Sequence, residues 1–96
     1  MAVQLLEAAQ SEYDQAVLYL EQRRKGLGSE FVEEFDRAVT MIQARPGTWP
    51  ASSPKTRRYL MHRFSYLIHY LTDGDRITIV AVAHPSRRPG YWLDRI

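Results

Sequence analysis

Residues Ile77 to Ala83 read ITIVAVA. A segment that is apolar at odd and even positions alike offers no face to water, so it belongs at the centre of a sheet, buried on both sides. The rest of the chain must supply its neighbours. Just before it, Thr72-Asp73-Gly74-Asp75 is a tight hairpin signal, because Asp-Gly accepts positive φ. Tyr66 to Leu71 then reads as the partner strand. Tyr59 to Phe64 alternates, with Leu60, His62 and Phe64 on one side, and predicts a further strand. Pro46 to Pro54, PGTWPASSP, is a loop.

The front of the chain is helical. From Glu7 to Arg24 the apolar residues Ala9, Tyr13, Ala16, Val17 and Leu20 recur at helical spacing, with Glu12, Asp14, Gln15 and Glu21 expected to face outward. Lys25-Gly26-Leu27-Gly28 stops this helix. Ser29 is the expected cap of a second one, in which Phe31, Phe35, Ala38, Val39 and Ile42 share a face up to Ala44. Helices joined by so short a break form an antiparallel hairpin. Val3 to Leu6 is a short candidate strand. The expected fold is α+β: a helical hairpin packed on a small, mostly antiparallel sheet of three to four strands, in a single domain spanning residues 1–96.

Composition narrows the class. Cysteine is absent, which removes disulfides and thiolate metal sites and fits a reducing compartment. No apolar run approaches the ~20 residues of a membrane span, and MAVQLLEAAQ lacks the basic start of a secretory signal. The expectation is a cytoplasmic protein without membrane partners. Charge is divided unevenly: residues 1–36 hold three basic residues against eight acidic ones, and residues 37–96 hold ten against three. Such asymmetry points to an acidic partner for the second half, unless folding interleaves the halves.

The stretch HPSRRPGYW, His84 to Trp92, concentrates the candidate chemistry. Arg87 and Arg88 follow the last strand, while Arg57, Arg58 and Arg63 lie on or before the first strand after the loop. If those strands are neighbours, the guanidiniums converge, and Arg pairs bidentately with phosphate. Tyr91 and Trp92 offer flat faces for stacking, or simply pack over the end of the sheet. His62 and His69 are expected as half-buried sheet residues. Their spacing crosses a turn and no carboxylate lies near them in sequence, so no metal site and no cofactor is expected.

In order and length the pieces EAAQSEYDQAVLYLEQRRKGLGSEFVEEFDRAVTMIQARPGTWP, RRYLMHRFSYLIHYL and ITIVAVAHPSRRPGYW resemble the ParE/RelE superfamily of bacterial type II toxins. That resemblance implies a short first strand, a helical hairpin and an antiparallel sheet, with a cognate ParD-like antitoxin as partner. It also implies one of two activities. RelE-like members are ribosome-dependent mRNA endoribonucleases; ParE-like members poison DNA gyrase. The RelE-like pattern has basic residues in the loop before the sheet, an Arg opening the middle strand, and an Arg and a Tyr near the C-terminus. Here the loop carries Lys55 alone and the middle strand opens with Tyr66. A ribonuclease would have to use Arg63, His84, Arg87 and Tyr91. The incomplete cationic set favours the ParE-like side, with Arg57, Arg58, Arg63, Arg87, Arg88, Tyr91 and Trp92 as contacts to the target. A member that binds antitoxin without being toxic is the third possibility.

Overall fold

The computed structural model describes residues 1–96. In chain order it contains β1 (Ala2–Leu5), α1 (Glu7–Arg23), α2 (Leu27–Ala44), β2 (Arg57–Leu60), β3 (Leu67–Asp73), β4 (Arg76–Ala83) and a final 3-10 turn at Leu93–Arg95. The sheet order is β1-β4-β3-β2, with β1 parallel to β4 and the other pairings antiparallel. β4 is therefore central, as its sequence demands, and every residue from Ile77 to Ala83 is buried.

The helical hairpin covers one face. Ala9, Ala16 and Leu20 of α1 and Phe31, Phe35, Ala38 and Ile42 of α2 meet Ile68, Tyr70, Ile77, Ile79 and Val82 of the sheet. Aromatic rings lock this layer: Tyr13 stands edge-on to Phe35 at 4.7 Å, and Phe31 to Tyr66 at 5.2 Å. The other face is covered by the C-terminal segment. Trp92 packs there on Val80 and Ala81.

Two expectations need correction. The second helix starts at Leu27 instead of after a Ser29 cap. Its first free N–H groups are taken by the Glu21 carboxylate, which reaches over from α1 to accept from the N–H of Gly26 (3.0 Å) and of Gly28 (3.0 Å). The exposed acid expected at position 21 is thus a cap supplied by another helix. The strand expected over Tyr59 to Phe64 is instead Arg57–Leu60. After Leu60 the chain turns. Ser65 takes φ 59°, and Met61 N–H donates to the Tyr66 carbonyl at 2.9 Å, closing the loop between β2 and β3. His62 is therefore exposed in a turn, not half-buried in the sheet. Phe64 packs from that turn onto Phe31 at 5.4 Å.

At Gly28 the second helix lies tight against the first. A Cβ there would lie 2.8 Å from the Val17 carbonyl oxygen and 3.0 Å from Glu21 Oε1. Alanine is the better helix former by about 1 kcal/mol, yet Gly28→Ala is expected to destabilise the protein by about 1–3 kcal/mol, the usual cost of overpacking. Urea unfolding checks this; an unchanged or raised midpoint would mean the helices separate without penalty.

Candidate functional site

The site grows from a defect in β4. His69 faces Ala81 and Tyr70 faces Ile79, so Val80 is the extra residue of a bulge. β1 pairs with β4 only as far as Ile79. Beyond that point the backbone of β4 needs other partners. Side chains provide them: Val82 N–H donates to Glu12 Oε1 at 3.0 Å, and Arg95 Nη1 donates to the Val80 carbonyl at 3.1 Å. Arg95 also grips Glu12 with both guanidinium arms, at 2.8 and 3.0 Å. Tyr91 adds its hydroxyl, donating to Glu12 Oε2 at 2.6 Å.

Glu12, expected to face water, is instead the anchor of this arrangement; its side chain is only 11% exposed. Burial raises its pKa, but the hydrogen bonds from Arg95, Tyr91 and Val82 outweigh that effect, and the net shift is downward. A signal was available in the sequence. Position 12 lies three residues after Ala9 and four before Ala16, on the apolar stripe of α1.

Tyr91 and Trp92 are thereby fixed. Burial and the bond to Glu12 push the Tyr91 phenol up. Arg87 lies over its ring, 3.7 Å from the centroid, and 3.8 Å from Glu12. Trp92 is buried, and His69 stacks on it at 4.3 Å. Trp92 is thus a floor, not the exposed contact expected of it. His69 is buried, and its Nδ1 has no hydrogen-bond partner. Burial above all, then the nearby charge of Arg58, lowers its pKa to about 4, against the opposing pull of Glu12.

The expected arginines separate into two groups. Arg58, Arg87 and Arg88 line one groove of about 410 Å³, together with His69, His84, Tyr91 and Trp92. Arg58 donates to the Ala51 carbonyl and Arg88 is exposed. Arg63 is elsewhere, paired with Glu30 at the start of α2. Arg57 is also apart, donating to the Trp49 carbonyl at 2.8 Å. Lys55 lies beside it along a separate cleft. His84 Nδ1 is engaged by Ser86 at 2.7 Å, and the ring stands edge-on to Tyr66 at 5.3 Å. No three His, Cys, Asp or Glu side chains converge in the way a metal site needs.

This fold and order of elements match known proteins. The profile of the family described as "ParE toxin of type II toxin-antitoxin system, parDE" matches residues 3–89. The chain belongs to the ParE toxin family. Among solved structures it is similar to one described as "Chromosomal ParDE TA system from P. aeruginosa", with a TM-score of 0.75 and 17% identity over 88% of this chain and 95% of that one. At that identity the likeness is one of fold. A search of curated proteins gives no match. The superfamily resemblance seen in the sequence is thus resolved to its ParE side, and no helix is long and apolar enough to cross a membrane.

Two pH windows follow for this ParE-family chain. His69 folds neutral, with a pKa of about 4, below its ordinary 6.5. Between pH 6.5 and 4 the unfolded chain holds a proton that the folded chain lacks. Stability is therefore full above 6.5 and falls as the pH drops through that window, by about 3 kcal/mol at 1.4 kcal/mol per pH unit. His69→Phe, which keeps a ring on Trp92, is expected to flatten this slope. The stability supplied by Glu12 is lost lower, as pH falls below its ordinary 4.5. At pH 7, Glu12→Gln is expected to cost about 2 kcal/mol, because the half-buried Arg95 is left without its counter-charge. Glu34→Ala, which breaks a surface pair with the exposed Arg37, is expected to cost about 0.5 kcal/mol. Chemical denaturation of the three variants across pH tests all of this.

Proposed function

We propose that this chain is a toxin that acts by binding, that its target is DNA gyrase, and that a ParD-like antitoxin neutralises it. The observation that carries the reading is the engagement of the residues a ribonuclease would use. Tyr91 spends its hydroxyl on Glu12 with a raised pKa, a poor state for moving protons near neutrality. Arg63 is paired with Glu30, away from the groove that holds His84 and Arg87. Tyr66, where the nuclease pattern has an arginine, is buried against Phe31 and His84. Of the arginines in the ribonuclease set only Arg87 lines the groove, and Glu12 already draws on its charge, which weakens stabilisation of a cleaved phosphate.

The same groove suits binding. Arg58, Arg87 and Arg88 line it, and no carboxylate does. Apolar side chains are also left at the surface: Leu18 and Tyr19 on α1, Met41 on α2 and Leu60 on β2. An antitoxin segment laid over them would bury them, a common mode of peptide recognition. The family to which the chain belongs supports both partners, and the cytoplasm, where gyrase works, is its proposed location.

Purified protein is expected to inhibit supercoiling by gyrase, and Arg88→Glu to weaken that inhibition about tenfold, as loss of a well-placed charge contact does. Full supercoiling at every toxin concentration, together with cut mRNA on translating ribosomes, would overturn the reading in favour of the ribonuclease. Growth unaffected by strong induction without antitoxin would favour a non-toxic binder.

A further inference from the structure

The groove behind β4 has chemistry that narrows what can enter it. Its cationic side holds Arg58, Arg87 and Arg88 with no acid among the lining residues, and its floor is apolar, built on Leu67, Ala83 and Trp92. A nucleic acid would use such a place by pairing phosphates with arginine and stacking bases on aromatic faces. Here the stacking faces are already taken. Arg87 covers the Tyr91 ring at 3.7 Å and His69 covers Trp92 at 4.3 Å. What remains open is apolar floor, cation, and one buried nitrogen. His69 is 6% exposed and its Nδ1 has no partner, although buried polar atoms are nearly always hydrogen-bonded.

We infer that this groove binds an extended acidic peptide segment of a partner protein, with a carboxylate on Arg88 and Arg58, an apolar side chain against Leu67 and Pro89, and a backbone group hydrogen-bonded to His69. A peptide meets all three demands at once. Its carboxylates match the guanidiniums bidentately, its aliphatic side chains need no stacking face, and its backbone carries both a donor and an acceptor for a neutral imidazole. Arg88 is the strongest point of attachment, since it is exposed and forms no ion pair within the chain. Arg87 is weaker, because Glu12 already draws on its charge. The inference rests on the proposed role of this face in target binding and goes further by naming the chemistry of the partner's segment.

The test uses the intact chain and three fluorescein-labelled probes: a peptide of alternating Glu and Leu, its Gln and Leu counterpart, and oligothymidylate. Fluorescence anisotropy is expected to rank the Glu-Leu peptide at least tenfold tighter than either of the others. Arg88→Glu should weaken it at least tenfold. His69→Phe, checked for an unchanged melting temperature, should weaken it several-fold, while Arg37→Glu, far from the groove, should leave it unchanged. Oligothymidylate binding as tightly as the acidic peptide overturns the inference, as does indifference to Arg88→Glu. So does a dimer in sedimentation that Arg88→Glu dissolves, because the occupant is then a second copy of the chain. Supercoiling assays run beside these separate the two claims. Gyrase inhibited without peptide binding removes the inference alone; peptide bound with gyrase unaffected removes the gyrase target alone.

Discussion

One carboxylate holds the C-terminal segment of this molecule in place. Glu12 of α1 accepts hydrogen bonds from the backbone of β4, from the Tyr91 hydroxyl and from both arms of Arg95. A buried charge is costly unless its lone pairs are filled, and these are. β1 is too short to cover β4 to its end, so beyond Ile79 the central strand would present bare backbone to water or to another chain. Glu12 and Arg95 stand in for the missing strand, one accepting from Val82 and the other donating to Val80. The ion pair is thus part of the sheet's hydrogen bonding.

The same contact decides which cations are free. The acidic front half does reach the basic second half, but at few points: Glu30 takes Arg63, Glu34 takes its near neighbour Arg37, and Glu12 takes Arg95 and part of Arg87. Arg58 and Arg88 are left over, on the groove beside Trp92. The uneven charge of the two halves therefore ends partly as internal pairing and partly as an uncompensated face.

The parts of the fold set by local pattern were legible in the sequence. ITIVAVA had to be central because it has no polar face, the chain had to turn near Gly74, and the face of Phe31, Phe35, Ala38 and Ile42 had to meet a core. What was illegible depends on contacts distant in sequence. The α2 cap comes from Glu21 on another helix, so no residue next to Leu27 announces it. The alternation through Leu60, His62 and Phe64 looks like strand, yet Ser65 adopts a positive φ and the chain turns early. Of the five arginines expected to converge, the fold brings Arg58, Arg87 and Arg88 to one groove and leaves Arg57 and Arg63 apart. Strand neighbours alone do not say which face a side chain takes or which carboxylate waits for it.

Size makes the arrangement self-consistent. A chain of 96 residues buries only about two-thirds of its unfolded surface, and two helices cover one face of a sheet. β4, apolar on both faces, still needs cover behind it. The segment after Pro85 supplies that cover through Trp92 and is held by Tyr91 and Arg95. It also carries Arg87 and Arg88. The residues that close the core and the residues that present charge are therefore neighbours on one short, irregular segment, tied to the fold through Glu12. Loosening that tie exposes the back of β4 and scatters the cations together. Stability and the presentation of charge are coupled here because one short segment carries both.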